Sequence, residues 1–123
     1  MKRKVTKNAD GNLVFPGNKD SVVNPYDIIF IKMNDYAMSL HVKDGRVLTK
    51  VTSLKGLLPL LPEVFFAYIH RTYAVNLSCV KDVSPYEIRN LQLDLYYTPE
   101  KIIVAERKVD YFNEKFEAYK SSI

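Results

Sequence analysis

His-Arg-Thr-Tyr-Ala-Val-Asn-Leu, residues 70–77, is the stretch that decides how this chain is interpreted. Its polar and apolar residues alternate, which is the period of a β-strand with one buried face. The alternation lets Tyr73 and Val75 face a core, whereas Arg71 and Thr72 are expected at the end of the strand. The stretch therefore predicts a strand with an arginine placed where an anion can meet it.

Strands are also predicted before this stretch. Residues 27–32 form a β-branched and aromatic run that is typical of a buried strand, and residues 37–42 alternate apolar and polar side chains. Asn34-Asp35 predicts the turn between them. Asp44-Gly45 is a two-residue hairpin signal that leads into a third strand over residues 46–51. These elements predict a three-stranded meander.

The rest of the chain adds strands and two helices to the prediction. Extended structure is expected at residues 65–77, 80–83, 88–97 and 102–104, with Tyr73, Tyr96, Tyr97 and Tyr111 assigned to the core. Ser53 is typical of the cap of a short helix near residues 53–61, which Pro59 shortens or kinks. A helix near residues 106–120 is predicted by apolar residues spaced three, four and three apart, namely Val109, Phe112, Phe116 and Tyr119.

Length and composition indicate one domain preceded by a basic arm. The chain has 123 residues, of which 47% are apolar, enough for one core. Residues 1–26 are rich in turn formers and predict a partly flexible arm with one short strand at Leu13–Phe15; residues 27–123 then form the domain. No apolar run approaches the roughly 18 residues of a membrane span, and no signal peptide follows Met1, so a cytoplasmic location is expected.

The sequence offers no pattern for catalysis. It has no glycine-rich phosphate loop, and its two histidines, His41 and His70, stand in no nucleophile or metal motif. Cys79 is the only cysteine, so an internal disulfide is excluded, and a packing role is expected for it. We therefore expect neither an enzyme nor a cofactor, a metal site or a small-molecule substrate.

Basic side chains could instead meet a polyanion. Arg71, Arg107 and the turn at residues 34–36 could share one edge of the sheets, and arginine can read guanine with two hydrogen bonds. Lys55 and Ser53, at the start of the short helix, would suit a phosphate. The ordinary alternative for Arg71 is a surface ion pair. His70 could pack or form a hydrogen bond rather than contact a ligand, and Asn76 could satisfy backbone groups at its strand end.

From residue 27 to the terminal helix, the chain resembles the LytTR-type DNA-binding domain of bacterial transcription regulators. The resemblance rests on Asp-Ile-Ile-Phe-Ile at 27–31, the Asp44-Gly45 turn, Ser53-Leu54-Lys55, Leu61-Pro62 followed by Phe65-Phe66, residues 70–77, and Ile-Val-Ala-Glu-Arg-Lys at 103–108. It implies a mostly β fold of antiparallel sheets that binds double-stranded DNA through loops at one edge.

The same resemblance assigns functions to individual residues. Base-reading positions fall on Tyr36, Ala37, Arg71 and Arg107, and DNA-backbone contacts fall on Asn34, Ser53, Lys55, Thr72 and Lys108. Two positions depart from the family pattern before the last helix. Ala105 lacks the usual hydroxyl, and Glu106 brings a negative charge toward the DNA backbone.

These observations predict a sequence-specific, response regulator-like DNA-binding protein. Residues 1–26 are too few to hold a receiver domain, so the expected regulation is by abundance, by homodimer formation on direct repeats, or by a separate membrane protein. The main alternative is a small β-rich module that binds a protein and has no nucleic-acid function. Single-stranded RNA binding is a lesser alternative, because it requires aromatic side chains that face solvent on a sheet.

Overall fold

The computed structural model describes residues 5–15, 21–34, 37–50, 54–70 and 72–123, with only the backbone described for Lys50, Leu54 and Lys55. The strands of this part are β1 (Thr6–Lys7), β2 (Leu13–Phe15), β3 (Ser21–Val23), β4 (Ile28–Met33), β5 (Met38–Val42), β6 (Val47–Lys50), β7 (Phe66–His70), β8 (Tyr73–Asn76), β9 (Val80–Tyr86), β10 (Asn90–Leu95) and β11 (Lys101–Val104). The helices are α1 (Leu54–Leu57) and α2 (Glu106–Ser122). The fold is mostly β, as predicted.

A five-stranded antiparallel sheet in the order β6-β5-β4-β8-β7 forms the centre of the domain. Its first three strands are the predicted meander. The turn between β5 and β6 has the expected Asp-Gly chemistry, because Gly45 adopts a φ of +96° and the Asp44 carboxylate accepts the Arg46 backbone N–H at 2.9 Å. The hydrogen bond from that N–H lowers the pKa of Asp44.

Two apolar clusters lie on opposite faces of this sheet. One cluster joins the central sheet to α1 and to the small sheet β1-β2-β3. The other joins it to α2 and to the sheet β11-β10-β9. Residues of β4 contribute to both clusters because successive side chains of a strand face opposite sides, and a bulge between Ile28 and Phe30 lets the neighbours Ile29 and Phe30 both join the second cluster. The described part of the domain therefore has three layers.

The predicted arm contributes strands to this arrangement. The expected strand Leu13–Phe15 is β2, and it pairs with β1 and β3, which the sequence pattern did not predict. Leu13, Phe15 and Val23 are fully buried in the first cluster. The described residues before Asp27 thus pack on the core, while Lys2, Arg3, Lys4 and Lys19 lie outside the described residues.

Both predicted helices are present. Leucine-rich α1 ends after four residues and continues as a 3-10 turn over Leu58–Leu60, as expected from Pro59, which has no N–H to donate. In α2, Phe112 is fully buried, and Val109, Phe116 and Tyr119 pack partly buried beside it. The helix runs through Ser122, two residues beyond the predicted end.

The strand prediction for residues 65–77 was wrong in one respect. The segment is an antiparallel hairpin of β7 and β8 with a turn at Thr72. No glycine, proline, asparagine or aspartate marks that turn. It is held instead by a side chain: the Nδ1 atom of His70 accepts the Thr72 backbone N–H at 3.1 Å and lies 2.7 Å from the Thr72 hydroxyl.

The prediction for residues 88–97 also needs correction. Strand β10 starts at Asn90, and Ile88 is 82% exposed in the preceding turn, where Glu87 and Arg89 have φ values of 50° and 65°. Tyr96 and Tyr97 are 48% and 65% exposed, so their assignment to the core was wrong. They follow the end of β10, and the alternation along that strand puts Tyr96 on the side of Gln92 and Asp94, opposite the buried leucines.

Other residue assignments agree with the structure. The Asn76 amide donates to the carbonyl oxygens of Tyr26 and Ile28 at 3.2 and 2.9 Å, and its side-chain oxygen accepts the Ser78 N–H, so Asn76 satisfies backbone groups as predicted. Tyr73 packs against the second cluster but is only partly buried. Cys79 is buried, and this burial raises the pKa of its thiol, which fits a packing role.

His41 gives the fold a pH dependence that can be measured. Its ring stacks on Phe30 with centroids 4.1 Å apart, and burial lowers its pKa from the ordinary 6.5 despite the opposing charge of Glu100. The unfolded chain therefore binds a proton at a pH where folded His41 does not, so stability falls as pH decreases below about 6.5. Urea unfolding between pH 7.5 and 5.5 will show this decline, and His41→Gln will reduce it. An unchanged slope in the variant contradicts the assignment.

Candidate nucleic-acid interface

Strand register brings three connections to one end of the central sheet. Met33 at the end of β4 pairs with Met38, which also pairs with Lys50 at the end of β6. Tyr73 pairs with both Lys32 of β4 and His70 of β7. The ends of β4, β6 and β7 and the starts of β5 and β8 therefore lie at the same end of the sheet. We call this end of the sheet, with these three connections, the loop end.

Backbone hydrogen bonds join two of these connections. The N–H of Met33 donates to the carbonyl of Thr72 at 2.7 Å, which ties the end of β4 to the β7–β8 turn. The N–H of Asn34 donates to the carbonyl of Ala37 at 2.8 Å, which closes the β4–β5 loop. The described residues at the base of each loop are thus held by backbone hydrogen bonds.

The N-terminus of α2 reaches the same end. The Tyr68 N–H donates to the Tyr111 hydroxyl at 3.2 Å, and the Lys115 ammonium donates to the Glu63 carbonyl at 3.1 Å. The helix α2 and the segment leading through β7 therefore run in opposite directions, so the N-terminus of α2 lies toward the His70 end of β7. One helical turn before Tyr111 covers about 6 Å, and two strand residues after Tyr68 cover about 6–7 Å. Arg107 thus lies at about the level of the β7–β8 turn.

The structure places several predicted residues at this end. Arg107 and Asn34 are exposed, and Ala37 and Thr72 are partly buried at the bases of their loops. Lys108 is partly buried, with its ammonium 5.0 Å from the centre of the Tyr111 ring. The backbone of Lys55 belongs to α1, in the connection that follows β6. Tyr36, Ser53 and Arg71 lie outside the described residues.

One contributor to this end, Lys32, was missed by sequence reasoning. Lys32 lies next to the last residue of β4, with its ammonium 5.7 Å from the centre of the Tyr73 ring, so it adds positive charge beside the loops. The sequence feature that could have identified Lys32 is its position just before the predicted Asn34-Asp35 turn. His70 was expected to pack or form a hydrogen bond, and it forms one with Thr72.

The hydrogen bonds of His70 indicate the tautomer of its neutral ring. A backbone N–H can only donate, so the Nδ1 atom that accepts from Thr72 carries a lone pair, and the proton of the neutral ring is on Nε2. The contact at 2.7 Å is then a hydrogen bond donated by the Thr72 hydroxyl. This arrangement stabilises a tight turn without glycine.

Comparison with protein-family models places the chain in a class of DNA-binding domains found in transcription regulators. It belongs to the LytTr DNA-binding domain family, whose model matches residues 18–117. The described residues contain no helix long and apolar enough to cross a membrane.

The fold is similar to a solved structure, the LytTr DNA-binding domain of a methyl-accepting/DNA response regulator from Bacillus cereus. The TM-score is 0.72 at 18% sequence identity, with 93% of this chain and 97% of that chain covered. At this identity the likeness concerns the fold. A search of curated proteins finds no significant match.

Proposed function

We propose that this protein binds double-stranded DNA in a sequence-specific manner, as a transcription regulator, through the loop end and the N-terminus of α2. The observation that carries the proposal is the convergence of these elements at one end of the sheet in a LytTr-family domain. Convergence matters because DNA recognition needs base-reading and phosphate-binding groups on one continuous surface.

Each group has a chemistry suited to DNA. Arg107 is exposed and carries a guanidinium, which can donate two hydrogen bonds to O6 and N7 of guanine. Lys32 and Lys108 supply positive charge beside the loops, and exposed Asn34 can donate to phosphate oxygens. Arg71, which lies outside the described residues, is proposed as a second base reader because it stands in the sequence between His70 and Thr72, which are joined by a hydrogen bond.

The proposal extends to the arrangement on DNA. Sites are expected as direct repeats about one helical turn, or 34–36 Å, apart, each occupied by one copy of the domain, so that two copies would form a homodimer on DNA. A separate membrane protein remains our proposed source of the regulatory signal. Because its ligand is DNA, the protein is expected in the bacterial cytoplasm and is not expected to be an enzyme.

A selection experiment tests the function. Random duplexes are selected with the protein at about 0.1 M salt and sequenced, and the enriched duplex is then compared with a scrambled one over a range of salt concentrations. We expect one enriched motif in repeats and a steep loss of affinity with salt. Weak binding that is equal for all duplexes would overturn sequence-specific recognition.

A lysine variant separates phosphate binding from base reading. Lys55→Ala is expected to weaken binding to the enriched and scrambled duplexes alike, and to reduce the slope of log affinity against log salt by about one. The reason is that one phosphate contact releases about one counterion. Fluorescence anisotropy at four salt concentrations measures the slope. A loss confined to the enriched duplex would contradict a phosphate contact.

One observation keeps protein binding as a second candidate. Tyr96 and Tyr97 are exposed, lie 6.3 Å apart in an edge-to-face pair, and have Lys43 above the Tyr97 ring at 5.3 Å. The two tyrosines follow Leu95, the last residue of β10. They are therefore at the opposite end of this strand from the Tyr86–Asn90 turn, which lies beside α2. A partner that binds with little dependence on salt, together with no binding to any duplex, would favour this candidate.

A further inference from the structure

The N-terminus of α2 is capped by a residue from another element. Ala105 occupies the cap position, with extended φ and ψ of −68° and 151°, and has no side-chain acceptor. The Glu106 N–H donates instead to the Asn90 side-chain oxygen, at 3.0 Å. The first N–H groups of a helix have no partner within the helix; Asn90 satisfies the N–H of the first helical residue, whereas a serine at the cap position would accept the second or third.

Arg89, the residue before Asn90, forms an ion pair with Glu106 at the same end of α2. Arg89 Nη1 lies 3.2 Å from Glu106 Oε1, and the two side chains are 74% and 60% exposed. An ion pair this exposed contributes little to folding. Its electrostatic effect on a bound polyanion is different, because Glu106 directly precedes Arg107 and Lys108, and its carboxylate would otherwise repel DNA phosphates.

The backbone of the β9–β10 turn brings these two side chains to α2. Glu87 and Arg89 adopt left-handed φ values of 50° and 65°, which are uncommon for residues other than glycine. Asn90 pairs with Tyr86 across the turn, and Leu91 pairs with Val104, the residue before the cap position of α2. The register of β10 against β11 therefore places Asn90 beside the start of the helix.

We propose that the β9–β10 turn, residues 87–90, is a positioning element of the DNA-binding surface. Asn90 holds the N-terminus of α2 in place, and Arg89 neutralises Glu106, so that Arg107 and Lys108 can meet DNA. This inference rests on the proposed function. It also concerns the two positions that depart from the family pattern: Asn90 satisfies an N–H at the helix start, where Ala105 has no side-chain acceptor, and Arg89 neutralises the charge of Glu106.

The first test concerns the cap. In Asn90→Ala, hydrogen exchange at the Glu106 amide is expected to speed up about fivefold, and affinity for the enriched duplex to fall, because the first turn frays. Adding Ala105→Ser, which gives the helix its own cap, is expected to restore most of that affinity. Faster exchange with unchanged affinity would overturn the positioning function, as would a loss of affinity that Ala105→Ser leaves uncorrected.

The second test concerns charge and uses a double-mutant cycle. Glu106→Gln alone is expected to tighten binding by about two- to fivefold, and Arg89→Ala alone to weaken it by a similar factor. In the Glu106→Gln background, Arg89→Ala is expected to have almost no effect. An equal loss in both backgrounds would mean that Arg89 itself contacts phosphate, which overturns neutralisation.

A matched control and an independent measurement complete the design. Lys101→Ala removes a cation from an exposed ion pair with Asp94, 2.6 Å apart on the same sheet, and is expected to leave affinity unchanged. A twofold or larger loss in Lys101→Ala would show that any cation on this sheet matters, and would overturn a specific function for Arg89. Exchange at the Glu106 amide is measured without DNA, so the cap can be verified even if no duplex is bound and the proposed function fails.

Discussion

Arg107→Ala is expected to weaken binding to the selected duplex by about 1–3 kcal/mol, roughly 5- to 150-fold, and to change binding to a scrambled duplex far less. Arg107 is exposed in the first turn of α2, at the level of the β7–β8 turn. Only a guanidinium offers two parallel donors to one guanine, so its loss removes discrimination between bases as well as charge. Anisotropy titrations with both duplexes measure the difference.

Two further variants make this prediction specific. Arg107→Lys keeps the charge without the paired donors, so it is expected to lose base preference and retain the salt dependence. Lys120→Ala removes a cation at the far end of α2, where Lys120 lies 2.8 Å from Glu117, and is expected to bind like the unaltered protein. Equal losses on both duplexes in Arg107→Ala would indicate a phosphate contact. The same comparison applies to Arg71→Ala.

Phe112→Ala is expected to lower the free energy of unfolding by about 3–5 kcal/mol. The ring is fully buried in the second cluster, with the Phe116 ring 5.5 Å away, and it anchors α2 to the sheets. Domains of this size are stable by only about 5–15 kcal/mol, so the variant approaches the limit of folding. Urea unfolding followed by circular dichroism gives the change.

Other substitutions show whether that loss comes from packing. Phe112→Leu keeps most of the buried volume, so it is expected to cost clearly less than alanine. Glu114→Ala changes an exposed residue of the same helix and is expected to alter stability by at most about 0.5 kcal/mol. If Phe112→Ala cost less than about 1 kcal/mol, α2 would not depend on this contact.

Local patterns in the sequence predicted much of the fold. The meander follows from the alternation of apolar and polar residues and from Asp44-Gly45, a pair that can adopt the turn conformation without help from distant residues. Helix α2 follows from its apolar spacing, since that spacing determines which face is buried. Such features depend on neighbours a few residues apart, and therefore can be derived without the rest of the structure.

Features that depend on distant contacts were not predicted. The turn at Thr72 depends on hydrogen bonds to the His70 side chain, and Tyr97 is exposed with a φ of +74°. The register of the strands, and with it the convergence of loops at one end, also depends on tertiary pairing. For the site, the family resemblance identified individual residues. The hydrogen bond from the Glu106 N–H to Asn90 was not predicted, because the two residues are 16 positions apart and no local pattern marks their contact.

The hydrogen bond between the Tyr111 hydroxyl and the Tyr68 N–H has a consequence for solubility. β7 is an edge strand of the central sheet, and a free edge offers unpaired N–H groups on which another chain can add a strand. Tyr111 occupies one such group, and α2 covers the strand beside it. The helix that carries Arg107 toward the loop end therefore also shields this edge against aggregation between copies.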